Sequence, residues 1–178
     1  MPMKASCWRR SLLPILVLVA AAACDQVGWK AQIAQPRSPV QPIAFMHTVH
    51  VGIDSIPCAY CHYSANMSEE AGIPAVGTCM GCHRFVQGTS DAFKTEIQKL
   101  MEFAADSQPV PWVRVHSVPS FVQFTHQPHV RAGVTCFECH GDVGAMEQVE
   151  RVAPLTMGWC VNCHRDRGAP DDCAVCHY

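Results

Sequence analysis

The chain has 178 residues, and its 12 cysteines and 10 histidines are numerous for that length. Such counts are typical of domains held together by covalent or metal links rather than by a large apolar core. Lysine and arginine total 13 against 15 aspartates and glutamates, which gives a formal net charge of −2. A nucleic-acid-binding protein needs a basic face, so the composition argues against that class.

The first 23 residues are predicted to be an export signal. A basic start precedes a largely apolar run, 12–23, which ends in alanines directly before Cys24. This ending resembles a bacterial lipoprotein signal and would make Cys24 the lipidated first residue of the mature chain. An ordinary secretory signal with an incidental Cys24 stays open. So does an uncleaved membrane anchor, although a spanning helix needs about 20 apolar residues.

Residues 24–44 follow as a predicted extended tether. They contain Pro36, Pro39 and Pro42 and show no apolar periodicity. The cysteine-rich body, 45–178, begins at Phe45.

The body repeats itself. The first copy, 45–83, starts with "FMHTVH" and the second, 124–164, starts with "FTHQPH". Two C-x-x-C-H motifs follow each of these starts, and a fifth motif closes the chain. We number them motif 1 (58–62), motif 2 (79–83), motif 3 (136–140), motif 4 (160–164) and motif 5 (173–177).

One amphipathic helix is predicted between the copies, over 91–104. Phe93, Ile97, Leu100 and Met101 fall at helical spacing, and Ser90 or Asp91 can cap its start. Elsewhere glycine and proline break up long elements, so we expect short helices joined by loops, with little β-structure.

C-x-x-C-H is the attachment motif of c-type haem. Residues three apart on a helical turn share a face, so both thiols can reach one porphyrin, and the histidine that follows lies under the iron. Zinc sites and disulfides also use paired cysteines, but neither needs a histidine directly after the second. The motifs therefore predict five covalently attached haems c. Their thiols are Cys58, Cys61, Cys79, Cys82, Cys136, Cys139, Cys160, Cys163, Cys173 and Cys176. Their proximal iron ligands are His62, His83, His140, His164 and His177.

Five histidines lie outside the motifs, which is the number needed to fill the second axial position of five irons. We expect these five to be distal ligands: His47, His50, His116, His126 and His129. Met157 is an alternative ligand, and its competing interpretation is ordinary packing beside Trp159.

The F-x-H-x-x-H starts resemble those of class III multihaem cytochromes c. The resemblance implies a fold of short helices and loops packed around the haems. It also implies that His47 pairs with His62 and His126 with His140. By the same resemblance His50 pairs with His83 and His129 with His164, which leaves His116 for His177.

The stretches "VPWVRVHSVPSFVQFTHQPHVRAGVTCFECHGDV" and "VAPLTMGWCVNCHR" resemble the pentahaem cytochrome subunits of alternative complex III, a bacterial quinol-oxidising membrane assembly. This resemblance implies iron–sulfur and membrane subunits as partners, and a monohaem cytochrome c or an oxidase as acceptor. It implies the periplasmic side of the inner membrane, with anchoring through Cys24 or an uncleaved N-terminal segment.

Two imidazole ligands leave no vacant position on an iron, so the histidine count predicts an electron-transfer subunit with no catalytic residue. One alternative is a multihaem enzyme of the nitrite or hydroxylamine type, in which one spare histidine does not bind iron. Another is a free periplasmic electron shuttle with the same haems.

Overall fold

The structure is a computed structural model that describes residues 37–178. The predicted export signal, Cys24 and the first part of the predicted tether lie outside these residues. Within 37–178 the chain is helical and contains no strand, as the sequence predicted. The α-helices are α1 (Cys58–Cys61), α2 (Val76–His83), α3 (Asp91–Ala105), α4 (His126–Arg131), α5 (Cys136–His140), α6 (Met157–Asp166) and α7 (Cys173–Cys176).

Helix α3 confirms the predicted amphipathic helix and extends it by one residue. Ser90 caps its start by accepting a hydrogen bond from the backbone N–H of Phe93 at 3.2 Å. Leu100 is buried against Ile43 and Val110, and helix α2 packs alongside. The helix thus packs against the first copy through an apolar contact.

The apolar core of the described residues is small. Its buried hydrophobic residues are Ile43, Leu100, Val110 and Ala153. A domain of this length ordinarily buries well over half of the surface of its unfolded chain. Side-chain packing alone is therefore a weak source of stability here.

Residues 37–44, which the sequence assigned to the tether, are hydrogen-bonded to the body. The side chain of Gln41 bonds the backbone of Val113 in both directions at 2.9 Å. The backbone N–H of Ala44 donates to the carboxylate of Glu96 at 2.7 Å. The folded body of the described chain therefore begins before Phe45.

The starts of the two copies differ in backbone form. In the first copy Thr48–Ile53 is a π-helix, a form that is rare and often found at functional sites. In the second copy α4 is an ordinary α-helix with Pro128 in its first turn, where its missing N–H costs no helical bond.

A short 3₁₀ turn, Val143–Ala145, packs against the π-helix. The backbones approach so closely there that a Cβ on Gly52 would lie 2.6 Å from the carbonyl oxygen of Gly144. Glycine is therefore required at Gly52 by this contact between the copies.

No helix of the described residues is both long enough and apolar enough to cross a bilayer.

Candidate functional site

All five motifs lie on helical turns, as their spacing predicted. In α1, α5 and α7 the first cysteine is also the first helical residue. In α2 and α6 the first cysteine comes at the fourth position. The residue before each helix has an extended backbone, so each helix begins directly after an extended residue. The two cysteines of every motif consequently share one face of a turn.

The ten motif cysteines form no disulfide bond within residues 37–178. Burial raises the pKa of the Cys61 thiol above its ordinary value. No group of three or more histidine, cysteine, aspartate or glutamate side chains in residues 37–178 is placed to hold a metal ion among themselves.

Neighbouring thiols connect the motifs in one line. Burial raises the pKa of Cys79, and Cys61 of motif 1 adds to the effect. Burial likewise raises the pKa of Cys136, with a further contribution from Cys58. Motif 1 is therefore a neighbour of both motif 2 and motif 3.

The line continues through the second copy. Burial, the charge of Glu138 and the thiols of motif 4 raise the pKa of Cys139. Burial and Cys176 of motif 5 raise the pKa of Cys160. Each motif is consequently a neighbour of the next in the series 2–1–3–4–5, which differs from their order in the chain.

Three of the proposed distal histidines face the proximal histidine that the family resemblance assigned to them. The ring centroids of His50 and His83 are 5.9 Å apart. Those of His129 and His164 are also 5.9 Å apart, and those of His126 and His140 are 6.4 Å apart. Metal–imidazole bonds of about 2 Å would place two rings on opposite sides of one iron at about 6 Å. The three separations fit that requirement.

His47 lies close to His62, its proposed partner. Burial lowers the pKa of His47 to about 4, and the nearby His62 and His50 contribute in that order. The pKa of His140 also falls to about 4 because of burial and then of His116, His126 and His62. Both imidazoles are therefore neutral at pH 7, which is the form that binds a metal.

His116 lies against His140 with ring centroids 4.3 Å apart. The ring of His177, its proposed partner, stacks on Phe121 at 6.0 Å. The Nε2 atom of His116 is buried and has no hydrogen-bond partner, as is the Nδ1 atom of His47. A buried imidazole nitrogen without a partner fits a metal ligand. The ring beside His116 is that of His140, and the pairing of His116 with the motif 5 haem stays a prediction.

Seven histidines have Nδ1 within hydrogen-bond distance of a backbone carbonyl: His50, His62, His83, His126, His129, His164 and His177. A carbonyl can only accept, so Nδ1 carries the proton and Nε2 keeps a free lone pair. Metal-binding histidines typically make such a bond, because it fixes both the tautomer and the ring orientation. The donor set therefore fits haem iron in proximal and distal positions alike.

The phenylalanine that opens each copy orients both histidines of its F-x-H-x-x-H start. Phe45 meets His47 edge-on at 4.8 Å and stacks on His50 at 4.4 Å. Phe124 meets His126 edge-on at 4.9 Å and lies 4.7 Å from His129. No role was predicted for these phenylalanines from the sequence. Their repetition at the start of both copies is the pattern that indicates one.

Met157, the alternative ligand, is the first residue of α6 and is 70 % exposed. It is therefore not packed beside Trp159 as a buried side chain. Its role as an iron ligand stays a prediction.

Helical motifs of this kind, with paired imidazoles facing each other, are typical of multihaem c-type cytochromes. Residues 122–178 match the family model described as cytochrome c7 and related cytochrome c. This match covers the second copy and motif 5, and it supports a c7-like domain with covalently bound haem c.

A second comparison finds similarity to a multihaem cytochrome c subunit. Over 100 residues the chain is 32 % identical to the multihaem cytochrome c subunit of a menaquinone reductase from Nitratidesulfovibrio vulgaris. The match covers 56 % of this chain and 45 % of that subunit, so the chain spans about half the length of this relative.

Proposed function

We propose that the chain is the electron-transfer subunit of a membrane complex that exchanges electrons with quinone. The observation that carries the proposal is the set of three histidine pairs at 5.9–6.4 Å, each joining a motif histidine to one outside the motifs. Such pairs would fill both axial positions of an iron, which would leave electron transfer as its role.

The five motifs would hold five haems c through the ten thiols and five proximal histidines already named. When bound, each haem supplies a one-electron iron centre. The chain's own residues would attach the porphyrin and place an imidazole on each side of the iron, and an Nδ1 bond orients seven of the ten imidazoles. His47, His50, His126 and His129 act as distal ligands, and His116 completes the set.

The order 2–1–3–4–5 supports a linear path through the subunit. Adjacent motifs have neighbouring thiols, so their porphyrins would follow one another without a gap. Motif 2 and motif 5 are the two ends of this series. Electrons would enter at one of these ends and leave at the other.

The comparison and the sequence resemblance both support a quinone-linked partner complex. The relative is a subunit of a menaquinone reductase, whereas the resemblance implies the quinol-oxidising alternative complex III. We favour the latter, with iron–sulfur and membrane subunits as partners and a monohaem cytochrome c or an oxidase as acceptor. The subunit would lie on the periplasmic side of the inner membrane, attached through a lipidated Cys24 or through an uncleaved N-terminal segment.

Purification of the chain from its host's membranes tests this proposal. A C-terminally tagged protein should require detergent for release and should bring quinone-reactive subunits with it. Addition of a menaquinol analogue to that complex should reduce the haems, as read from the α-band. Release without detergent, together with purification of a lone subunit, would favour the free shuttle.

Carbon monoxide distinguishes the electron-transfer subunit from the enzyme alternative. The reduced protein should not form a stoichiometric carbonyl complex, because each iron is occupied on both sides. A matched His129→Ala variant opens one position and should bind one equivalent, which proves that the assay detects an open haem. Stoichiometric binding by the unaltered protein would contradict the proposal.

A further inference from the structure

Residues 64–72, the bridging segment, contact histidines of two different motif pairs. The carbonyl of Gly72 accepts a hydrogen bond from Nδ1 of His62 at 2.6 Å. The carbonyl of Glu69 accepts from Nδ1 of His126 at 2.9 Å and from the backbone N–H of the same residue at 2.9 Å. His62 belongs to the first copy and His126 to the second, so one short segment orients imidazoles from both.

Ser64 holds the shape of the bridging segment. Its hydroxyl lies 2.6 Å from the carbonyl oxygen of Ala71 and 3.0 Å from that of Glu70, and it can donate to either. Gly72 has a φ of +75°, and a Cβ there would lie 2.8 Å from the Ser64 hydroxyl. The segment therefore closes on the serine side chain, and glycine is what permits the approach.

The segment is also fastened to helix α4, which begins at His126. The backbone N–H of Gln127 donates to the carbonyl of Ser68 at 3.2 Å, and its side-chain amide donates to Met67 at 3.0 Å. The 3₁₀ turn Tyr63–Asn66 packs against the same helix. A change in the segment consequently reaches His126 through several bonds at once.

We infer that Ser64 is a positioning residue for two axial imidazoles at once, those of His62 and His126. This inference rests on the proposed ligation of two different irons by those histidines. A hydrogen bond from Nδ1 to a carbonyl makes an imidazole more basic and so stabilises ferric iron. Loosening the segment weakens both bonds, so the potentials of the haems of motifs 1 and 3 should rise together.

Potentiometry of the full-length holoprotein with Ser64→Ala tests the inference. We expect two midpoint potentials to rise and the others to stay fixed, and Ser64→Thr, which keeps the hydroxyl, to restore the original values. Thr95→Ala is the matched control. The hydroxyl of Thr95 donates to the carbonyl of Asp91 at 2.9 Å, and this bond lies in helix α3, which holds no proposed ligand. This control should leave every potential unchanged.

A Ser64→Ala protein in which no potential changes, only one changes or all change equally would overturn the inference. If the Ser64→Ala protein does not acquire its haems, Ser68→Ala provides the same test. The hydroxyl of Ser68 donates to the carbonyl of Glu70 within the segment at 2.7 Å. This variant should raise the same two potentials by a smaller amount.

A His126→Ala variant distinguishes failure of the inference about Ser64 from failure of the proposed function. If it leaves every haem low-spin, the ligation itself is wrong. If it makes one haem high-spin while Ser64→Ala changes nothing, only the bridging role of Ser64 is wrong.

Discussion

The imidazole rings of His126 and His140 face each other with their planes only 7° apart. The planes of His50 and His83 are crossed at 60°, and those of His129 and His164 at 55°. Two parallel imidazole planes would direct their π-interaction with the iron along one direction. Two crossed planes would divide this interaction between two directions. The two histidine pairs of the second copy would therefore give electronically different haems from the same type of ligand.

This difference predicts distinct electron paramagnetic resonance signals in the oxidised protein. The signal lost in His126→Ala should be rhombic, because parallel rings split the iron d-orbitals strongly. The signals lost in His50→Ala and His129→Ala should have a larger maximal g-value. Loss of signals of one type from all three variants would contradict the assigned ring pairs.

Replacement of His129 by methionine should raise the potential of a single haem, that of motif 4. A thioether stabilises ferrous iron relative to imidazole, and axial ligands set haem potentials over a range of about 0.8 V. We expect an increase of about 0.1–0.3 V in redox titration, a fraction of that range. His50→Met is the matched variant and should change a different haem, that of motif 2. A change in the midpoint potential of the same haem in both variants would be inconsistent with the pairing.

Alanine at Gly52 should destabilise the holoprotein by about 1–3 kcal/mol, as overpacking typically does. The new Cβ would lie 2.6 Å from a backbone oxygen, which has no flexible side chain to move aside. Gly77 in helix α2 is the control, because a Cβ there meets nothing within 4 Å. Gly77→Ala should raise stability by about 0.5–1 kcal/mol through helix propensity. Guanidinium unfolding followed by circular dichroism measures both, and equal effects would refute the close backbone contact.

The haem-free chain should not fold cooperatively. Few of its side chains are buried. Ordering the backbone costs about 1–2 kcal/mol per residue, and the burial of these few side chains would have to offset that cost. Protein made without haem attachment should show weak near-ultraviolet circular dichroism and no sharp thermal transition. A cooperative melt with native-like helix content would show that the polypeptide supports its own fold.

Local sequence patterns predicted the local structure well. The C-x-x-C-H spacing placed the motifs on helical turns, and the periodicity around Leu100 predicted α3 with its Ser90 cap. The repeated F-x-H-x-x-H start indicated that the two copies use their histidines alike. These features depend on residues within one or two turns of each other.

Relationships between distant segments could not be predicted in this way. The order 2–1–3–4–5, the carbonyl partners of the histidines and the contact of Gly52 with Gly144 all depend on how the copies pack. The same holds for Ser64, whose importance arises from the position of Glu69 beside His126. No short motif encodes such contacts.

The number of covalently bound haems tests the central claim most directly. Intact-mass spectrometry of the exported protein, purified with its haems, reports that number in one spectrum, together with the processing site and any lipid on Cys24. The account predicts a mass with five haems attached. A mass with fewer than four haems, or with zinc bound to the motif cysteines, would contradict it.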